Sequence, residues 1–241
     1  MKIDFIQLES VDSTNTWAKQ NAHRFNSAHL TCITAHEQTA GRGRQDKKWI
    51  SPKKASLYMS LFFTTHENAH YLSNLGQIMA LTCAEFLRDL NVPALLKWPN
   101  DIVVEKKKIG GVLTETFPLK NEIGVVLGLG LNVNLPENIL KNINQPATSL
   151  HLLLHKELQP LSLVEPLLNL FTSHLKLLQS EGFAHFHKQF NKLLAYKGEM
   201  ITVHLPQESI HGICDSITSE GLLKLQLPSG EFTTLSAGEI L

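Results

Sequence analysis

Cysteine is scarce and scattered. The chain has three cysteines in 241 residues, Cys32, Cys83 and Cys214, and no two stand at the spacing of a metal knuckle or a redox pair. Isolated thiols of this kind belong to a reduced compartment, so the expected location is cytoplasmic. Long apolar runs are missing too: no stretch approaches the eighteen or so residues a membrane-spanning helix needs. Asp4 and Glu9 interrupt the first ten residues, and no secretory leader is read there. Neither sign of charge is in excess. Lys plus Arg and Asp plus Glu both number 22, which removes the broad basic field that would draw nucleic acid or an anionic membrane. Any recognition of an anion must be local. Also absent are internal repeats, a glycine run closing on Gly-Lys-Ser/Thr, a nucleophile-elbow serine and a Cys/His site.

What remains is an ordinary core-forming composition, 43% hydrophobic and 18% charged, enough for one large domain or one domain with a small appendage. Periodicity places short strands at 5–8, 30–36 and 57–63, and a helix from Asp12 or Ser13 as cap to about His23. The stripe Leu72, Leu75, Met79, Cys83, Phe86 and Leu90 predicts a helix over 71–90 that serves the core alone. Residues 102–105 and 108–115 read as a hairpin with Lys106-Lys107 at its tip. Alternation there sets Gly111, Leu113 and Glu115 on one face and Lys108, Gly110 and Val112 on the other. Ser162 and Glu165, with Pro166 in the first turn, predict a capping box for a helix that ends at Gly182. His185 and His187 stand two apart on the next helix and point different ways, so the 12 histidines are read as scattered polar residues. After Lys197 the pattern changes to four or five short strands in about 45 residues, a small barrel. The expected division is therefore 1–195 and 196–241.

The chemistry gathers in a few stretches. Gly41-Arg42-Gly43-Arg44 puts two guanidinium forks on a backbone able to bend closely around an anion. Ser13-Thr14-Asn15 offers three hydrogen-bonding side chains at a helix start, for capping or for a polar ring. Lys97-Trp98-Pro99-Asn100-Asp101 ends a strand, where Asp101 suits Mg²⁺ or a plain turn. Lys108 is followed by Gly110 and Gly111. In 123–133, Leu127, Leu129 and Leu131 would face the core while Gly128, Gly130 and Asn132 face away. Two missing side chains beside an amide make a flat shelf on which a flat ligand could lie, or a site of close packing. Trp49 closes the arginine loop as a core anchor, an aromatic platform or a lid. Together these parts fit activation of a carboxylate by a nucleotide. An ionised carboxylate needs no general base, and Arg, Lys and Mg²⁺ lower the barrier to its attack on a phosphate.

The same residues carry a resemblance. Ser13-Thr14-Asn15, Gln38, Gly41-Arg42-Gly43-Arg44, Trp49, Lys97-Trp98-Pro99-Asn100-Asp101, Lys108-Ile109-Gly110-Gly111 and Gly128-Leu129-Gly130-Leu131-Asn132 resemble biotin protein ligases in order and spacing. The resemblance implies an α/β (α+β) catalytic domain similar to class II aminoacyl-tRNA synthetases, with a C-terminal SH3-like barrel. It implies formation of biotinyl-5′-AMP and pyrophosphate from biotin and ATP, then transfer to a lysine of a biotin carboxyl carrier domain. Ser13, Thr14, Asn15 and Gln38 would hold the biotin ring, with Gly41, Gly111, Gly128 and Gly130 shaping its pocket. Arg42 and Lys108 would meet the biotin carboxylate and adenylate phosphate as the catalytic pair. Arg44, Lys97 and Asn100 would bind the nucleotide, Asp101 would assist with Mg²⁺, and Trp49 and Asn132 would frame the adenine.

Two departures from the family pattern stand out. Asp46-Lys47 replaces a frequent Gly-Arg, which predicts weaker retention of the intermediate. Only twelve residues precede Ser13, where bifunctional members carry a helix-turn-helix domain, so the expectation is a ligase without nucleic-acid or membrane binding, monomeric or homodimeric. The rivals are a lipoate-type ligase and a non-catalytic sensor of biotin or its adenylate.

Overall fold

The antiparallel pair β3 (Ser56–Thr65) and β7 (Ile123–Asn132) runs in register from Ser56 opposite Asn132 to Thr65 opposite Ile123. In the computed structural model, which describes residues 2–241 with the Asp46 side chain outside the described part, this pair is the spine of a seven-stranded sheet. The other strands are β1 (Ile3–Leu8), β2 (Leu30–Ala35), β4 (Leu95–Lys97), β5 (Asp101–Val104) and β6 (Lys107–Pro118). The order is β1-β2-β3-β7-β6-β5-β4, with β1 and β2 parallel and the remaining pairs antiparallel.

Alternation along the spine decides what each face does. Leu57, Met59, Leu61, Leu127, Leu129 and Leu131 enter the main core beneath α2 (Leu75–Asp89) and α5 (Val164–Glu181). Each such side chain withdrawn from water contributes about 1.5–3 kcal/mol before chain entropy is counted. Phe62 and Val126 point the other way and pack with Ala18 of α1 (Thr14–Asn21) and Ile33. The expected facing of Leu127, Leu129 and Leu131 against Gly128, Gly130 and Asn132 is the one observed. Shorter helices α3 (Glu137–Leu140), α4 (Leu150–Leu154) and α6 (His187–Leu193) complete the larger part.

Several local expectations are corrected. The hairpin tip is Glu105-Lys106, both at positive φ, and Lys107 already pairs with Val104. Ser162 forms no capping box: a 3-10 turn over Pro160–Leu163 leads into α5, and Ser162 donates to Gln159 O instead. The first helix stops at Asn21 and continues as a 3-10 turn, and the Ser13 side chain makes no capping bond. Most consequential is β6. Its pairing with β5 shifts by one residue, Ile102 opposite Gly110 but Val103 opposite Lys108, so Ile109 is skipped. A bulge reverses the alternation on one side of it. Lys108 therefore lies on the Gly111 face, where a Cβ added to Gly111 would meet Lys108 Cε at 3.0 Å.

The C-terminal strands β8 (Met200–His204), β9 (Ser209–Ile217), β10 (Leu223–Gln226), β11 (Phe232–Leu235) and β12 (Glu239–Ile240) form an antiparallel sheet in the order β11-β10-β9-β8-β12. Its inner residues Ile201, Val203, Cys214 and Leu225 join the main core. The β9–β10 turn is plugged into the larger part: Gln77 and Trp98 Nε1 both donate to Gly221 O, at 2.6 and 3.1 Å. Asn74 donates to Glu220 O at 2.9 Å. Gly221 has φ +87°, and a Cβ there would come within 2.3 Å of Asn74, so both backbone and space demand glycine.

Candidate functional site

The α1 face of the spine strands opens into a cleft of about 910 Å³, partly open to solvent. Its walls include Ser13, Thr14, Asn15, Gln38, Arg42, Arg44, Trp49, Lys97, Asn100, Asp101, Lys108, Gly111, Gly128 and Gly130. These residues come from separate stretches between 13 and 130, and the fold brings them to one place because the central strands and α1 supply adjacent walls.

One end is neutral and buried. Thr14 donates through both its backbone N–H and its hydroxyl to Gln38 Oε1, at 2.9 and 3.1 Å. Gln38 Nε2 in turn donates to Ser51 Oγ at 3.0 Å, and Ser51 to Trp49 O. Ser60 Oγ, on β3, stands within hydrogen-bond distance of Thr14 Oγ1 and Asn15 Oδ1. Ser13, Thr14 and Asn15 are each no more than 4% exposed. The absent side chain at Gly128 is what admits Asn15, whose Oδ1 would lie 2.3 Å from a Cβ there. Gly41 is similarly tight, 2.5 Å from Ser51 Oγ and 2.6 Å from Trp49 O.

The other end is charged. Lys108 Nζ pairs with Asp101 Oδ1 at 2.7 Å, and Lys97 stands opposite Asp101 across the β4–β5 register. Burial pushes the Lys97 ammonium below the ordinary lysine range; Asp101 opposes the shift and Lys108 adds to it. Arg44 donates to Asn100 Oδ1 at 2.9 Å and to Gly238 O at 3.5 Å. Lys47 pairs with Glu239, which the C-terminal sheet delivers to this end. Burial alone would raise the Glu239 carboxyl, but Lys47, Lys97 and Lys108 outweigh it and hold the group below the usual carboxylate value.

Arg42 stands apart from the other cations. Its guanidinium donates to Glu115 at 3.1 Å and to Thr16 at 3.2 Å. Trp49 covers Gly130: a Cβ on that glycine would meet the indole at 2.5 Å. The shelf expected for a flat ligand is thus filled at Gly130 by the indole, which fits because the side chain is missing there. Trp49 Nε1 is buried without a hydrogen-bond partner among the described residues. Asn132 lies behind Trp49, 3% exposed, donating to Thr148 O at 3.0 Å and lining a smaller cavity of about 330 Å³ with Lys108. With Gly41, which packs behind the cleft wall against Ser51 and Trp49, it is an expected site residue outside the lining of the main cleft.

Sequence reasoning missed Ser51, Ser60 and Glu239, named Lys47 only as a departure within the arginine loop, and read Glu115 only as a strand position. Ser60 could have been found as a small hydroxyl among the large side chains of 57–63. Nothing local marks Glu239. As for a metal, no group of three or more His, Cys, Asp or Glu side chains forms a centre among the described residues. Asp101, already paired with Lys108, is too little to hold a resident ion.

Comparison with known proteins follows the same residues. The sequence matches the model of the Biotin/lipoate A/B protein ligase family over residues 7–132. It is 28% identical over 221 residues to the Bifunctional ligase/repressor BirA of Escherichia coli, covering 91% of this chain and 68% of that protein. It is 27% identical over 229 residues to the Biotin–[acetyl-CoA-carboxylase] ligase of Paracoccus denitrificans, covering 92% and 94%. The structure superposes on biotin protein ligase from Aquifex aeolicus in complex with biotin and ATP, with a TM-score of 0.83, 29% identity and coverage of 99% and 97%.

Proposed function

The chain belongs to the biotin/lipoate A/B protein ligase family, and from that premise we propose that it is a biotin protein ligase, joining biotin to a lysine of a biotin carboxyl carrier domain at the expense of ATP. The observation that carries the reading is the cleft's division into a neutral hydrogen-bonding end and a cationic end. A ureido ring has donors and acceptors that Ser13, Thr14, Asn15 and Gln38 can satisfy. A lipoyl dithiolane has no N–H or carbonyl to offer, so it would gain no hydrogen bond from these polar walls. That asymmetry favours biotin over lipoate.

In the first half-reaction a biotin carboxylate oxygen bonds to the α-phosphorus of ATP and the bond to the pyrophosphate oxygen breaks. The carboxylate enters ionised. The chain's task is to bring two anions together, and Lys108, Lys97 and Arg44 are the cations placed to offset their charge. Burial lowers the Lys97 pKa, and Asp101 opposite opposes that shift. Magnesium enters with the triphosphate as part of the substrate, and Asp101 would be the protein carboxylate beside it. Trp49, covering Gly130, is placed to move over a bound adenylate and keep water from the mixed anhydride. Asn132 would take the adenine side, through the cavity behind the indole. Arg42 could reach a bound anion only by leaving Glu115. In the second half-reaction the neutral amine of the acceptor lysine bonds to the acyl carbon, AMP leaves, and the amine proton passes to solvent or base.

Residues 196–241 we treat as a small domain seated on the catalytic part. No helix among the described residues is long and apolar enough to cross a membrane. The test is ATP–pyrophosphate exchange without acceptor protein, run with biotin and separately with lipoate. Exchange with biotin supports the reading. Exchange with lipoate instead replaces the substrate, and biotin binding with no exchange makes the protein a sensor.

A further inference from the structure

Glu115 is an anion beside a site that must accept a polyanion. Nothing in the adenylation chemistry asks for it, and its placement costs binding energy unless it does something else. Its side chain, 16% exposed, accepts hydrogen bonds from three directions: Asn15 Nδ2 at 2.9 Å, Lys19 Nζ at 3.0 Å and Arg42 at 3.1 Å. Those donors sit on α1 and on the arginine loop, while Glu115 itself is on β6. Three walls of the cleft therefore meet on one carboxylate. Burial opposes ionisation of Glu115, but the bonds from Asn15 and Lys19 and the charge of Arg42 prevail and keep its carboxyl below the usual value.

The two arginines of the loop are consequently not equivalent. Arg42 is ion-paired with a carboxylate that it shares with Lys19, and is further held by Thr16 Oγ1. Arg44 donates to neutral oxygens, Asn100 Oδ1 and Gly238 O, which leaves its charge uncompensated by those contacts. An incoming anion gains most from the cation whose charge is not already matched, and detaching Arg42 would forfeit charge-assisted hydrogen bonds.

We propose that Arg42 and Glu115 form a strap that ties the arginine loop to α1 and β6, so that Arg42 is a positioning residue and Arg44 is the loop cation that meets the ligand. The strap acts on the ring end through Asn15. The amide of Asn15 also donates to Leu113 O at 3.2 Å, while its Oδ1 faces Ser60 and the open position at Gly128. Loss of Glu115 would let Asn15 turn and loosen the wall that a ligand ring must meet. The proposal rests on the ligase reading for its kinetic arm only.

The test compares Arg42→Gln, Glu115→Gln, their double variant and Arg44→Gln in the full chain, with thermal midpoints taken as a control for folding. Arg42→Gln and Glu115→Gln should each raise the biotin concentration for half-maximal adenylate formation about tenfold. At saturating biotin and ATP the single-turnover rate of Arg42→Gln should fall no more than about threefold, against about a hundredfold for Arg44→Gln. The double variant should be no worse than Glu115→Gln, since both remove one interaction. A hundredfold loss in Arg42→Gln at saturation, or losses that multiply in the double variant, would overturn the strap. A second readout needs no activity: trypsin should cut the loop between Arg44 and Lys48 faster in both single variants than in the parent. If the parent forms no adenylate, the ligase reading fails, and cleavage still decides: faster cutting keeps the strap and unchanged cutting ends it.

Discussion

At the end of the cleft beside α1, Thr14, Asn15, Gln38, Ser51 and Ser60 satisfy one another's hydrogen bonds before any ligand arrives. At the opposite end Lys47, Lys97 and Lys108 face Asp101 and Glu239, carboxylates that stand where an anion would be. The first arrangement is a preformed mould for a neutral polar ring. The second is a balanced set of charges whose balance a polyanion must change. Hydrogen-bonded neutral groups hold their geometry at any ionic strength, whereas charges near the surface are screened by salt and rearrange when a stronger partner appears. The two ends therefore should respond differently to the same perturbation.

The largest separation is expected from Lys108→Ala. Adenylate formation at saturating substrates should drop about a hundredfold or more, with biotin affinity by calorimetry little changed. Equal losses in rate and affinity would place Lys108 at the ring end and break the comparison. Next comes Gly128→Val, which pushes a side chain into space held by Asn15 Oδ1 at 2.3 Å. Biotin affinity should fall by up to about a hundredfold while ATP affinity is retained, a cost typical of overpacking. If both affinities collapse together, the ends are one cooperative unit.

Salt should act more mildly. Raising it from 50 to 500 mM should weaken ATP binding about tenfold, and biotin binding by much less, because one carboxylate is at stake instead of a triphosphate. Parallel curves would contradict the division.

The smallest effect is expected outside both ends, at Glu85 on α2. Burial, with Asp89 adding, pushes its carboxyl up to about 7, and it sits between His174 Nε2 at 3.4 Å and the Gln189 amide. Burial, with His185 adding, lowers the His174 imidazole. A folded pKa above the unfolded 4.5 means the folded state prefers the protonated form. That contribution is present below about pH 4.5 and is lost as pH rises to about 7. Glu85→Gln should leave the melting temperature unchanged at pH 4 and raise it by about two degrees at pH 8, the figure being discounted for partial exposure. Pyrophosphate exchange should not change. A shift in exchange would tie this helix pair to the cleft.

Much of the cleft was readable because its motifs are local. Alternation along 123–132 is a property of neighbouring residues, so Gly128 and Gly130 could be assigned to the ligand face before any fold was known. The hydroxyl and amide of Thr14 and Asn15 follow equally from their position at a helix start. Lys108 was recognised as a candidate but put on the wrong face, since strict alternation has no term for the skipped Ile109. The bulge is set by how β6 pairs with β5 on one side and with 146–148 on the other, where Lys108 N donates to Pro146 O. The capping box at Ser162 failed for a similar reason: the 3-10 turn before α5 took the place of the cap.

By itself the sequence determined the family, the two-part pattern of strands and helices, and the list of groups able to handle a carboxylate and a nucleotide. These are carried by spacing over a few residues, which local sterics and periodicity turn into structure. Only the tertiary structure decided which arginine pairs with a carboxylate, where Glu115 sits, and that Glu239 reaches the cleft. Arg42 and Glu115 are 73 residues apart, and Lys47 and Glu239 are 192 apart. Such pairs exist because sheet order and the docking of the C-terminal strands bring distant segments within hydrogen-bond reach, and no pattern within either segment records its partner.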